Sequence, residues 1–103
     1  QLALFIDAGE NTPAPYTFQQ IAPATGIAHT THELPPQAVL QVYLQTEASE
    51  PPPSFVLCVS GEKFELGESL TVIASSHVDA AFTLLTELCR KPVLAAWARA
   101  VVG

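Results

Sequence analysis

The chain has 103 residues, 49% of them hydrophobic and only 14% charged, which describes one small globular domain and excludes a disordered segment. Four Lys plus Arg against ten Asp plus Glu leave a formal charge of −6, so a nucleic-acid backbone and an anionic membrane are poor partners. No unbroken apolar run approaches the roughly 18 residues of a membrane span, and no stretch has the layout of a signal peptide.

Leu2 to Ile6 is a short continuous apolar run closed by Asp7-Ala8-Gly9. Such a run predicts a central strand covered on both faces of an α/β sheet. The Asn and Pro content of Glu10 to Pro15 marks a loop. Tyr16, Phe18 and Gln20 alternate with Thr17, Gln19 and Ile21, which predicts a second strand nearer an edge. A long loop follows, from about residue 22 to residue 34.

Pro35 and Pro36 suit the first turn of a helix, where the missing N–H groups cost little. Val39, Val42 and Tyr43 recur at helical spacing, Leu40 and Leu44 widen the stripe, and the helix should end near Thr46. The breaker-rich linker EASEPPPS leads to a buried strand over Phe55 to Val59. A loop with two glycines, GEKFELGES, comes next, and Thr71 is placed to cap the final long helix. Val78, Phe82, Leu85, Leu88 and Cys89 form its expected inward stripe, while Arg90 and Lys91 complement the dipole at its end. Pro92 breaks the pattern, and Val93 to Val102 has room for a short helix. The order β-β-α-β-α argues for an α/β or α+β arrangement with layered helices. Residues 1–91 read as one domain and 92–103 as a tail.

Cys58 and Cys89 form neither a CxxC nor a zinc-ligand pattern. Their expected state is reduced and largely buried, as in cytosolic proteins. The chain opens on its first strand with Gln1 and no polar lead-in, and it has few strands for a doubly wound sheet. Both features are expected of a piece whose upstream part is missing.

Chemistry concentrates at two places. Asp7 ends the first strand, and in open α/β sheets ligands bind at the carboxyl ends of strands. GIAHTTHELPP carries His29 and His32 just before the first helix. A strand of five or six residues spans roughly 17–20 Å, and ten loop residues reach up to about 33 Å, so the loop can return His32 to the edge that holds Asp7. A carboxylate and an imidazole serve either as ligands for a divalent ion or as an acid/base pair. The simpler alternatives stand beside this: Asp7 as a turn residue bonded to its own backbone, and the histidines as solvated loop residues.

Four stretches taken in order resemble the C-terminal portion of the hydrogenase maturation proteases: LALFIDAG, TTHELP, FVLCVSGEKFELGESL and LTVIASSHVDAAFTLLTEL. The resemblance spans nearly all of residues 2–90. It implies a three-layer α/β fold of the phosphorylase/hydrolase-like type with its first strand–helix units missing. It also implies an endopeptidase that trims the C-terminal extension of the nickel–iron hydrogenase large subunit after nickel insertion, in the cytoplasm. By matching segments, Asp7 and His32 would be the metal-contacting and catalytic residues, reading nickel carried by the substrate precursor; His29 has no matching role. The remaining acidic ligand of that family lies in a GNxLxxDDGxG segment, to which nothing here corresponds. A chain without it should be inactive alone, hold no nickel tightly, and leave Leu2 to Ile6 with an unpaired edge prone to association. The alternatives are a non-catalytic α/β interaction domain and a small metal-binding module of Asp7, His29 and His32.

Overall fold

The computed structural model describes residues 1–24, 35–61 and 69–103. Three strands and three helices follow one another as β1 (Ala3–Gly9), β2 (Tyr16–Ile21), α1 (Pro36–Glu47), β3 (Ser54–Ser60), α2 (Val72–Arg90) and α3 (Leu94–Arg99). This is a small mixed α/β domain. The sheet order is β1-β3-β2, with β3 parallel to β1 and antiparallel to β2.

The sheet is bound together by β3, whose apolar run fills the middle position. Register sets Leu4 beside Phe55 and Ile6 beside Leu57 on one side, and Phe18 beside Leu57 on the other. Side chains alternate along a strand, so Leu4, Ile6, Phe18, Phe55, Leu57 and Val59 share one face. That face meets α2 and α3. Its core is a cluster of Phe18, Phe55, Leu57, Ala81, Leu84, Leu88 and Trp97. Phe18 and Phe55 stack with centroids 5.2 Å apart, and Trp97 stands edge-on to both at 6.2 and 5.3 Å. Offset and edge-to-face ring contacts add about 0.5–1.5 kcal/mol each beyond the burial of area.

The first strand, expected at the centre, lies at one side of the sheet: among the described residues β1 pairs with β3 alone, as expected of a chain whose upstream part is missing, and Ile6 remains 59% exposed. A continuous apolar run reports that both faces of a strand have some cover; it does not count neighbouring strands. The edge placement of β2 agrees with its alternating pattern. Its outer side is occupied in part, because Phe18 exchanges backbone hydrogen bonds with Val102 at 2.8 and 2.9 Å.

Both helical stripes are rotated in part from expectation: Leu88 in α2 and Leu40 in α1 are buried as expected, and other members of each stripe are not. In α2 the buried residues are Ala74, Ala81, Leu84 and Leu88, whereas Val78, Phe82 and Cys89 are exposed. Both stripes fit a 3.6-residue period, and periodicity gives spacing without phase. The stripe containing Ala74 and Ala81 faces inward, since small side chains let the helix lie close to the bulky sheet residues. In α1, Ala38 and Leu40 are buried while Val39, Val42 and Tyr43 are exposed. Its boundaries agree with the sequence: Pro36 occupies the first turn, and the helix ends at Ala48 in the left-handed conformation. Thr71 caps α2 as expected, its hydroxyl accepting from the Ala74 amide at 3.0 Å. The tail does form a short helix, α3.

Although no unbroken apolar run reaches the length of a membrane span, α2 with 19 residues and a mean hydropathy of 1.2 is long and apolar enough to cross a membrane by length and composition. Its Ala81, Leu84 and Leu88 belong to the sheet's core, while 22% of the helix is buried.

Candidate functional site

Asp7 lies near the carboxyl end of β1, in register with Cys58 of the parallel neighbour β3. Alternation turns its side chain to the face away from α2, together with Cys58. The Asp7 carboxylate is exposed, and its Oδ1 accepts the amide of Ala8 at 2.8 Å. That bond is the local turn-type contact expected of an Asp at a strand end. The second oxygen, Oδ2, has no partner among the described residues. Beside it Cys58 is half-buried, with its Sγ 3.1 Å from the Thr12 hydroxyl.

The Asp7 backbone belongs to a second feature. A cavity of 480 Å³ opens at the carboxyl ends of β1 and β3, under the first turns of α2. Ile6, Val59, Leu70 and Val78 make its aliphatic wall, and Asp7, Ser60 and Thr71 bring polar groups to its rim. This is the position at which α/β sheets place ligands. A parallel pair leaves its terminal backbone groups facing the start of the next helix, and the capped N-terminus of α2 adds partial positive charge there.

His77 is a residue that the sequence pattern alone does not single out. Its Nδ1 lies 2.9 Å from the backbone carbonyl of Ser60, and a carbonyl can only accept. The proton of that bond therefore sits on Nδ1. This contact pins the second turn of α2 to the end of β3, next to the cavity. The available signal was the position of His77, one helical turn from Ala74 on the inward stripe.

His29 and His32 lie outside the described residues, as does most of the glycine loop. Among the described residues no group of three or more His, Cys, Asp or Glu side chains is arranged to hold a metal ion. The expectation that both cysteines are largely buried is corrected: Cys58 is half-buried and Cys89 is exposed, although both are free thiols. The cause is the phase of α2, which turns Cys89 outward beside the inward-facing Leu88.

No protein-family model, no curated protein and no solved structure matches this chain.

Proposed function

We propose that the chain is an incomplete hydrogenase-maturation-type endopeptidase, acting on the C-terminal extension of a nickel–iron hydrogenase large-subunit precursor. One observation carries the reading. Asp7, the carboxylate that the resemblance singles out, stands exposed at the carboxyl end of a parallel strand pair whose backbone, on the other face, borders a ligand-sized cavity. The segment order adds support, since the described parts of three stretches with family character fall on β1, β3 and α2, while TTHELP up to residue 34 lies outside the described residues. In this reading the complete fold is of the phosphorylase/hydrolase-like type with helices on both faces, supplied in part by upstream units.

The Asp7 carboxylate fits contact with a divalent ion, because one oxygen is steadied by the Ala8 amide and the other faces outward. His32 would be the second ligand, and nickel arrives with the substrate. The ion would supply polarisation of the scissile carbonyl or of a water. Asp7 itself positions that ion, or takes a proton from the water.

The test uses the protein with its natural upstream sequence restored and a nickel-loaded large-subunit precursor. Cleavage of the extension is expected, with loss of at least a hundredfold in rate for Asp7→Asn and for His32→Ala at unchanged circular dichroism. Undiminished cleavage by Asp7→Asn rejects the assignment. A second reading, a non-catalytic α/β interaction domain, is favoured by the open outer edge of β1.

A further inference from the structure

Part of the α2 stripe that the sequence marks for burial lines a trough instead. Val78, Phe82 and Leu85 recur at helical spacing on the flank of α2 that borders two hollows between helix and sheet. The larger is the 480 Å³ cavity under the start of α2, and the smaller, of 130 Å³, reaches Phe82 and Leu85. Both are lined by Ile6, Val59 and Val78, so they adjoin as one trough. Along it Leu70 is 61% exposed and Phe82 66%, a run of apolar side chains left in contact with solvent.

The trough has a polar end and an apolar end. Ser60, Gly61 and Thr71 stand at the larger hollow, whereas every residue around the smaller one is apolar. Among the described residues Asp7 is the one charged residue at either hollow, and alternation turns its carboxylate to the opposite face. Phe82 is the one aromatic ring, so no pair of rings is present to sandwich a planar ligand. At about 1.5 Å per residue, α2 covers roughly 16 Å from Ala74 to Leu85, a length that suits a chain. A peptide laid there would bring N–H and C=O groups that no side chain of the apolar end can pair, at a cost in free energy. An alkyl chain brings none.

We propose that the trough binds one free amphiphile with an unbranched alkyl chain. Its polar end lies at Ser60, Gly61 and Thr71, and its chain runs past Val78 toward Phe82 and Leu85. The larger hollow falls within the range of about 300–1,000 Å³ usual for ligand pockets. The driving force is removal from water of the alkyl chain together with Ile6, Leu70, Val78 and Phe82, which the empty trough leaves exposed. A free molecule is the source, because a chain of formal charge −6 is repelled by an anionic membrane surface. This inference does not rest on the peptidase reading, since the Asp7 carboxylate is on the other face of the sheet.

Titration of the 103-residue chain with hexanoate, decanoate and decanol below micelle formation, followed by nuclear magnetic resonance, tests it. Decanoate and decanol should each saturate one site and shift the resonances of Ile6, Val59, Leu70, Ala74, Val78 and Phe82 most. Hexanoate should bind at least tenfold more weakly, because each buried methylene is worth about a fourfold change in affinity. Val78→Glu puts a charge where the two hollows meet, and should weaken decanol as well as decanoate at least tenfold without changing the circular dichroism. Phe82→Ser, at the far end, should weaken decanoate at least threefold and leave hexanoate unchanged. The wild-type shift map and the chain-length series decide the matter independently of how either variant folds. The proposal is overturned by the absence of saturable binding, by shifts centred elsewhere, or by an affinity that does not rise with chain length. Association with phosphatidylcholine vesicles but with neither free ten-carbon probe also overturns it.

Discussion

The Trp97 indole N–H lies 3.0 Å from the Leu88 carbonyl and 3.1 Å from that of Lys91, so one side chain satisfies the last turn of α2 while its ring closes the aromatic cluster. Carbonyls at a helix end have no partner within the helix, and here α3 supplies one. Trp97 thus joins two jobs, filling volume and satisfying backbone.

The two jobs can be separated by substitution. Trp97→Ala should lower stability by about 3–5 kcal/mol, the usual range for removing a large core aromatic. Trp97→Phe keeps a ring and loses the donor, and should cost about 1–2 kcal/mol. Urea denaturation followed by far-ultraviolet circular dichroism measures both. Equal losses for the two variants would show that ring volume contributes nothing beyond the hydrogen bonds.

Thr71 offers a local test of the α2 start. Thr71→Ala removes the acceptor of the Ala74 amide and should cost about 1 kcal/mol. Faster hydrogen exchange at Ala74 should accompany the loss. Thr71→Asp restores an acceptor and adds a charge suited to the helix N-terminus, so it should match or exceed the wild type.

His77 should matter for the alignment of α2 on β3. His77→Ala deletes the bond to the Ser60 carbonyl, and about 1 kcal/mol of stability should go with it. Nuclear magnetic resonance shifts are expected to change most around Ser60 and Gly61, at the cavity's rim. Shifts confined to the α2 surface would contradict that picture.

The thiols should separate by reactivity. Cys89 is exposed, whereas Cys58 is half-buried and bonded to the Thr12 hydroxyl. A thiol reagent should label Cys89 at least tenfold faster than Cys58 in the folded chain, and the difference should vanish in denaturant. Mass mapping of the labelled peptides reads the outcome.

Gly9 tests the turn after β1. A Cβ at Gly9 would run into the Thr12 hydroxyl, the same oxygen that contacts Cys58. Gly9→Ala should therefore cost about 1–3 kcal/mol, as crowding of a packed site does. Gly9→Ala combined with Thr12→Ala, which clears the nearest obstacle, should recover most of the loss.

Much of the element order was legible because punctuation in this sequence is strong. Pro36 starts α1, Thr71 starts α2, and Pro92 separates α2 from α3, each for a local reason. Which helix face turns inward was not legible. Val78 and Phe82 are as apolar as Leu84, Leu88 fits either stripe, and only the fit of Ala74 and Ala81 against the sheet chooses between them. The neighbours of β1 were equally hidden, since partner number is a property of topology, to which the run Leu2 to Ile6 is blind. At the candidate site, Asp7 could be read from its place at a strand end. His77 could not, because its partner is a backbone carbonyl, and backbone atoms carry no signature in the sequence.

The strand order has a consequence for how the chain reaches its structure. β1 and β2 come first in sequence, yet they never touch as strands, because β3 lies between them. No early hairpin can hold the first two strands while the rest of the chain searches. The sheet gains both of its ladders only when β3 enters the slot, after the whole of α1 has been passed. Distant pairings of this kind must meet the entropy of loop closure before any ladder forms. Assembly of the sheet should therefore be slow for a chain of this size and concerted, with β3 as the element whose arrival sets the rate.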